Sequence, residues 1–263
     1  MTGLRNPESA VFDAERKVIY VSNVDGGGTD KDGKGFISRL GPDGKVLSLE
    51  WVKGLNAPKG LALAAGKLFV ADIDILVEID LAAGKVSKSY TAEDAEFLND
   101  VTVDEDGNVY VSDMLATRIY RLSKGKFSLW LGSEKLEYPN GLHYEGGKLI
   151  VGSWGKPNAD FTTDRPGHMK VVDIKTREIS PLGGATQPTG NLDGVEPDGE
   201  GGYFVTDWMA GKLFHIAPKG TVRELDVDLP SGAADLESIL DRNSLVIPMM
   251  KTDRVVCFRF TRN

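Results

Sequence analysis

The chain has one cysteine, Cys257, and three histidines in 263 residues. A lone thiol excludes an intrachain disulfide and a thiolate metal cluster, and Cys257 reads as a small buried residue. No apolar run approaches the ~18 residues of a membrane span. Basic residues are outnumbered, 31 Lys and Arg against 39 Asp and Glu, for a net charge of −8. That balance lacks the positive footprint that a nucleic acid or an anionic membrane surface requires. Also missing are a helical period sustained over three turns, a Pro/Ser-rich linker and a break in composition, so nothing marks a second domain. No charged and apolar leader precedes the first strand pattern. A chain that had lost its leader would begin the same way, so cytoplasmic and periplasmic or secreted settings both fit.

What the chain has is repetition. A polar residue, often followed by Gly, opens an alternating apolar stretch; a turn follows, then an apolar run ending in a small or acidic residue. The first copy runs from Glu8-Ser9-Ala10-Val11 to Val21-Ser22-Asn23, and the second from Lys59-Gly60-Leu61 to Val70-Ala71-Asp72. The third runs from Asn99-Asp100-Val101 to Ser112-Asp113, and the fourth from Asn140-Gly141-Leu142 to Gly152-Ser153. The fifth runs from Asp193-Gly194-Val195 to Thr206-Asp207, and a more diverged sixth from Asp235-Leu236 to Ile247-Pro248. Further strand patterns such as Leu76–Asp80 and Ile119–Leu122 follow each copy, then a turn and a more polar stretch, which makes each unit a four-stranded meander.

The opening polar positions 8, 59, 99, 140, 193 and 235 are spaced by 51, 40, 41, 53 and 42 residues. A propeller blade takes about 40–45 residues. The pattern predicts an all-β fold, a six-bladed β-propeller of four-stranded antiparallel blades, spanning residues 1–263 as one domain. Either residues 1–5 or the terminal strand at 255–260 completes a blade. The two long units carry insertions at residues 23–36 and 154–168.

In a propeller the innermost strands run along the central channel, so equivalent positions at their starts converge on the axis. That ring is Glu8, Lys59, Asn99, Asn140, Asp193 and Asp235. Five of the six carry side-chain oxygens, and the ring holds neither His nor Cys. Such a donor set suits a hard cation, Ca²⁺ best, rather than Zn²⁺. Carboxylates converging without a cation would repel and raise one another's pKa. Lys59 is the exception, and a salt bridge off the axis accounts for it.

Asn6-Pro7-Glu8-Ser9, Leu98-Asn99-Asp100, Pro139-Asn140-Gly141-Leu142 and Leu192-Asp193-Gly194 resemble the senescence marker protein (regucalcin)/gluconolactonase family of six-bladed propellers. The resemblance covers nearly the whole chain. It implies Ca²⁺, or another divalent cation such as Mg²⁺ or Mn²⁺, held by Glu8, Asn99, Asn140 and Asp193. It also implies hydrolysis of a lactone or ester small molecule, as in related paraoxonases and squid-type diisopropyl fluorophosphatase. Asp193 is the expected catalytic base or nucleophile. The family's sugar lactonases carry arginine where this chain has Phe97, which argues against an aldonolactone. Phe97, Tyr138, Trp154 and Trp208, with Met209, are the expected substrate wall, an apolar mouth for a hydrophobic lactone or ester. A monomer or weak homo-oligomer is expected.

Two other readings stand beside this one. A non-catalytic propeller could display loops to a protein or ligand around a structural cation, since fold does not fix function. A strictosidine-synthase-like propeller would hold no metal, and Lys59 on the ring favours it. Asp72, Asp113 and Asp207, with Asn23 and Ser153, close the second strands in register; repetition in nearly every blade marks them as structural. His168, in the blade-four insertion, is a candidate proton shuttle, although a solvated loop residue is the simpler reading, while His143 and His215 sit in strand patterns. Asp30-Lys31-Asp32-Gly33 lacks the third acid and terminal Glu of an EF-hand and reads as a glycine-rich turn.

Overall fold

The computed structural model describes residues 3–261. Its strands form six antiparallel sheets in a propeller ring, each a meander in chain order. The innermost strands are Pro7–Asp13, Pro58–Ala64, Leu98–Val103, Pro139–Glu145, Leu192–Pro197 and Glu237–Ile239. Blades one to five have four strands. The sixth has three among the described residues, Glu237–Ile239, Ser244–Met249 and Arg254–Arg259, against the expected four.

The core lies between blades, because successive residues of a second strand point to opposite faces. In Lys67–Asp72, Leu68 and Val70 pack with Tyr20 and Ile37 of blade one, while Phe69 and Ala71 pack with Val101 and Val111 of blade three. Each of the six blade interfaces has its own apolar cluster. The ring closes in the same way: Leu4, Ala10 and Val21 of the first blade pack against Ile239, Val246 and Val255 of the last. The terminal strand therefore lies in the sixth blade, as one of the two expectations had it; of residues 1–5, the first two lie outside the described residues.

Cys257 corrects one sequence expectation, for it is exposed. In Arg254–Arg259 the alternate residues Val256 and Phe258 pack toward blade five, and on the other face Val255 packs against blade one while Cys257 lies beyond that contact.

A β-bulge at the start of each inner strand does more than any other local feature to shape the axis. Pro7 pairs with Asn23 and Ala10 with Val21, so Glu8 and Ser9 together oppose the single residue Ser22. The same one-residue slip follows Pro58, Leu98, Pro139 and Leu192. A bulge leaves one extra residue unpaired and re-aims its side chain. In blades one, three and five a hydroxyl opposite the bulge accepts the second bulged amide at 2.9 Å: Ser9 N to Ser22 Oγ, Asp100 N to Ser112 Oγ and Gly194 N to Thr206 Oγ1. Bulges of adjacent blades touch, which accounts for the recurrent glycine: a Cβ on Gly141 would overlap the carbonyl oxygen of Asp193, and one on Gly194 the amide of Leu236.

Candidate functional site

The bulges deliver Glu8, Lys59, Asn99, Asn140 and Asp193, each the second residue of its inner strand, to one cavity of about 330 Å³ at the axis. All five are buried. The sixth blade differs from expectation. Ala233 bridges Met249, as Pro7 pairs Asn23, so Ala234 stands at the ring position and Asp235 one place further along, in register with Ser9 and Asp100. Asp235 accordingly does not line the cavity; its carboxylate turns to the neighbouring blade and accepts the Ser9 hydroxyl at 2.5 Å. Asp100, at the same register, accepts from Leu142 N of the next blade at 2.6 Å.

Glu8 Oε2 and Asn140 Oδ1 are buried without a hydrogen-bond partner among the described residues. Leaving such atoms unsatisfied costs about 1–3 kcal/mol each. Burial raises the Glu8 carboxyl well above its usual range, and Asp193 and Asp235 push it further. Asp193 is raised in the same way, by burial first and then by Asp235 and Asp207. Two carboxylates and two amide oxygens, two of the four atoms orphaned, form a hard-donor set that fits a divalent cation of the Ca²⁺ type. The donor set is half amide; no three His, Cys, Asp or Glu side chains cluster as metal ligands among the described residues.

Lys59 does not make the expected salt bridge off the axis. It lines the cavity, with no carboxylate within salt-bridge reach among the described residues. Its Nζ donates to Gly28 O at 2.8 Å and Ala57 O at 2.9 Å and lies 4.5 Å from the centroid of the Phe97 ring. The blade-one insertion supplies Gly28, and blade three supplies Phe97.

Phe97, Trp154 and Trp208 line the cavity. Tyr138 packs in the same aromatic cluster without lining the cavity. Met209 also lines it. Sequence reasoning missed Met114, Met250 and Phe161. Met114 and Met250 hold the position just after a second strand, as Trp154 and Trp208 do, so register alone could have found them. Phe161 belongs to the blade-four insertion and stacks near Phe97 at 6.1 Å and Trp154 at 6.5 Å, a placement no periodic signal announces.

The strand-closing acids are structural, as their repetition implies. Asp72 accepts from Asn56 N and Ala57 N, and Asp113 from Glu96 N and Phe97 N at 2.9 Å each. Ser153 donates to Leu136 O at 2.7 Å, and Asn23 accepts from Arg5 N at 3.0 Å. These contacts fasten the loop that enters each inner strand. The histidines lie off the axial cavity: His168 lies 3.3 Å from Glu137 Oε2 beside a separate surface cleft, His215 pairs with Asp198 at 2.8 Å, and His143 is held near Glu196. The turn lies just before the expected stretch, at residues 27–30, where Asp30 N donates to Gly27 O at 3.1 Å and its carboxylate accepts from Gly27 N at 3.0 Å; residues 32–33 form a bend.

Comparison with known proteins agrees with this fold. Solved structures similar to the chain include virginiamycin B lyase from Staphylococcus aureus, at TM-score 0.64 and 13% identity over 98% of this chain and 85% of that one. A streptogramin B lyase aligns at TM-score 0.66 and 12% identity, covering 95% of this chain and 93% of its own. Likeness at that identity speaks for the fold alone. No curated protein sequence matches the chain. No helix among the described residues is long and apolar enough to cross a membrane. The SMP-30/Gluconolactonase/LRE-like region matches residues 6–234, most of the chain, with all four candidate ligands inside the match. The protein therefore belongs to the SMP-30/gluconolactonase/LRE-like family, and it is a six-bladed propeller of that kind.

Proposed function

We propose that the chain is a divalent-cation-dependent hydrolase of a lactone or ester, with Glu8, Asn99, Asn140 and Asp193 as the protein ligands of Ca²⁺ or a similar ion. The observation that carries this reading is the pair of orphaned oxygens, Glu8 Oε2 and Asn140 Oδ1, on the wall of the cavity that Asp193 also lines. When bound, the cation would polarise the carbonyl of the substrate as a Lewis acid.

The remaining work falls to the chain's own side chains. Asp193, ionised beside a cation, would accept the proton of the attacking water at its carboxylate oxygen and return it to the leaving oxygen as the acyl C–O bond breaks, or would attack the carbonyl itself, expelling that oxygen, with water then opening the resulting anhydride. Asn99 and Asn140 offer amide groups that orient the reacting group, and Glu8 supplies a fixed negative charge. Phe97, Trp154, Phe161 and Trp208 hold the apolar part of the substrate and keep water from the floor. Phe97 makes that wall apolar, so a hydrophobic lactone or aryl ester suits the cavity better than an aldonolactone.

The test is turnover of a panel of alkyl lactones and aryl esters by chelator-treated protein, before and after adding Ca²⁺, Mg²⁺ or Mn²⁺. Cation-dependent hydrolysis that disappears in Asp193→Asn supports the reading. Hydrolysis that survives chelation, or that survives in a folded Asp193→Asn variant, contradicts it.

A further inference from the structure

The cavity holds a cation that the hydrolytic reading leaves without a task. Lys59 sits in the second position of Pro58–Ala64, in register with the four oxygen donors, and is 2% exposed. An ammonium has three N–H donors. Two of them end on the carbonyls of Gly28 and Ala57, at 2.8 and 2.9 Å, which pins the head group against the cavity wall. The ring of Phe97 flanks it at 4.5 Å. Tying the blade-one insertion to blade two would explain these two bonds, but a neutral amide could do as much. It leaves the third donor and the charge itself unexplained.

The balance of charge around the cavity sharpens the point. Its ionisable lining is Glu8, Asp193 and Asp160 on one side and Lys59 and Lys251 on the other. Glu8 and Asp193 are matched by one divalent cation, and Asp160 and Lys251, both at the mouth, are opposite in sign. What remains is one positive charge on Lys59, buried and without an ion pair among the described residues. Burial draws its pKa down to about 8, although Glu8 and Asp72 favour the charged form. A buried charge of this kind is stabilised when an anion of complementary geometry meets it.

We propose that Lys59 is a specificity-determining residue which selects substrates carrying a carboxylate in addition to the lactone or ester group. In this arrangement the carboxylate accepts the free N–H of Lys59, while the apolar body of the molecule lies against Phe97, Trp154 and Trp208. The cavity volume of about 330 Å³ suits a small compact acid. The scissile group rests on the hydrolase reading; the preference for an anion does not, because binding alone reveals it.

The probes are phenylacetate and its neutral counterpart of the same shape, phenylacetamide. Binding to Ca²⁺-loaded protein is followed by titration calorimetry and by quenching of tryptophan fluorescence. The expected result is that phenylacetate binds about tenfold more tightly or better, the yield of one charge-assisted hydrogen bond. In Lys59→Gln, which keeps donors for Gly28 and Ala57 but not the charge, that preference disappears; Lys59→Met replaces it should the Gln variant not fold. Crystals of the wild-type protein soaked in phenylacetate place the carboxylate within hydrogen-bond distance of Lys59 Nζ. Equal binding of the two probes, a preference unchanged in a folded Lys59 variant, or a carboxylate bound away from Nζ overturns the proposal. An intact preference with no turnover on any lactone or ester sinks the hydrolase reading alone, and turnover without the preference sinks this one alone.

Discussion

The hydroxyl of Ser9 lies 2.5 Å from Oδ2 of Asp235, a contact between residues 226 positions apart that joins the first blade to the last. Beside it, Asp235 N donates to Glu8 O at 3.0 Å, so the closure of the ring and the placement of a candidate metal ligand share one patch of backbone. Removing the hydroxyl leaves the buried Asp235 carboxylate with the Leu236 amide but without its side-chain donor, at a cost of about 1–3 kcal/mol. Ser9→Ala should therefore lower the unfolding free energy read from urea denaturation by that amount. A variant as stable as the wild type would show that the apolar cluster around Leu4 and Ile239 closes the ring unaided.

Stability of the cation-free protein should fall as pH rises from about 6.5 to 8. Burial raises Glu237 to about 8 and Asp235 to about 7, and it raises Glu8, Asp100, Asp193 and Glu196 in the same direction. In the unfolded chain these carboxyls lose their protons near pH 4. Between that value and the folded pKa the folded state holds more protons, so each such group costs about 1.4 kcal/mol per pH unit. His143, lowered to about 4 by burial, acts oppositely, but only between about 4 and 6.5. Lys59, lowered to about 8, adds stability only above that pH. A melting temperature of chelator-treated protein that is flat or rising from pH 6.5 to 8 contradicts this account.

Asp193→Asn should separate chemistry from folding. Loss of a general base lowers kcat by about 10²–10⁴-fold. Because ionisation of Asp193 opposes folding when no cation is present, the chelator-treated variant should melt at or above the wild type at neutral pH. Calcium should then raise its melting temperature less than it raises that of the wild type.

Asp113→Ala should do the reverse, damaging structure first. Its carboxylate holds Glu96 N and Phe97 N at 2.9 Å and Ala116 N at 3.3 Å, and so fixes the entry to the strand that carries Asn99. With those donors orphaned, a loss of about 2 kcal/mol or more is expected by denaturant unfolding. Weaker cation binding should accompany it.

The repeated copies made the blades, the inner-strand starts and the clamping acids legible in the sequence, because each is written five or six times in one register. Glu8, Asn99, Asn140 and Asp193 line one cavity for that reason. Asp235 was misplaced by one residue because the polar residue that opens the sixth copy follows its bulge position, Ala234, and only the pairing of Ala233 with Met249 reveals the slip. Lys59 was unreadable for another cause: its partners are carbonyls of Gly28 and Ala57, which carry no side-chain signal. Phe161 reaches the cavity from an insertion that follows no repeat, and Cys257 is exposed although Val255, on the same face of its strand, is buried.

The most direct test of the central claim is calorimetric titration of Ca²⁺ into chelator-treated protein, run in parallel on Glu8→Gln and Asn140→Ala. One site per chain is predicted, with affinity falling by about tenfold or more in each variant, since each removes one of four protein donors. Absence of binding in the wild type, or affinity unchanged in either folded variant, would contradict a cation at the axis.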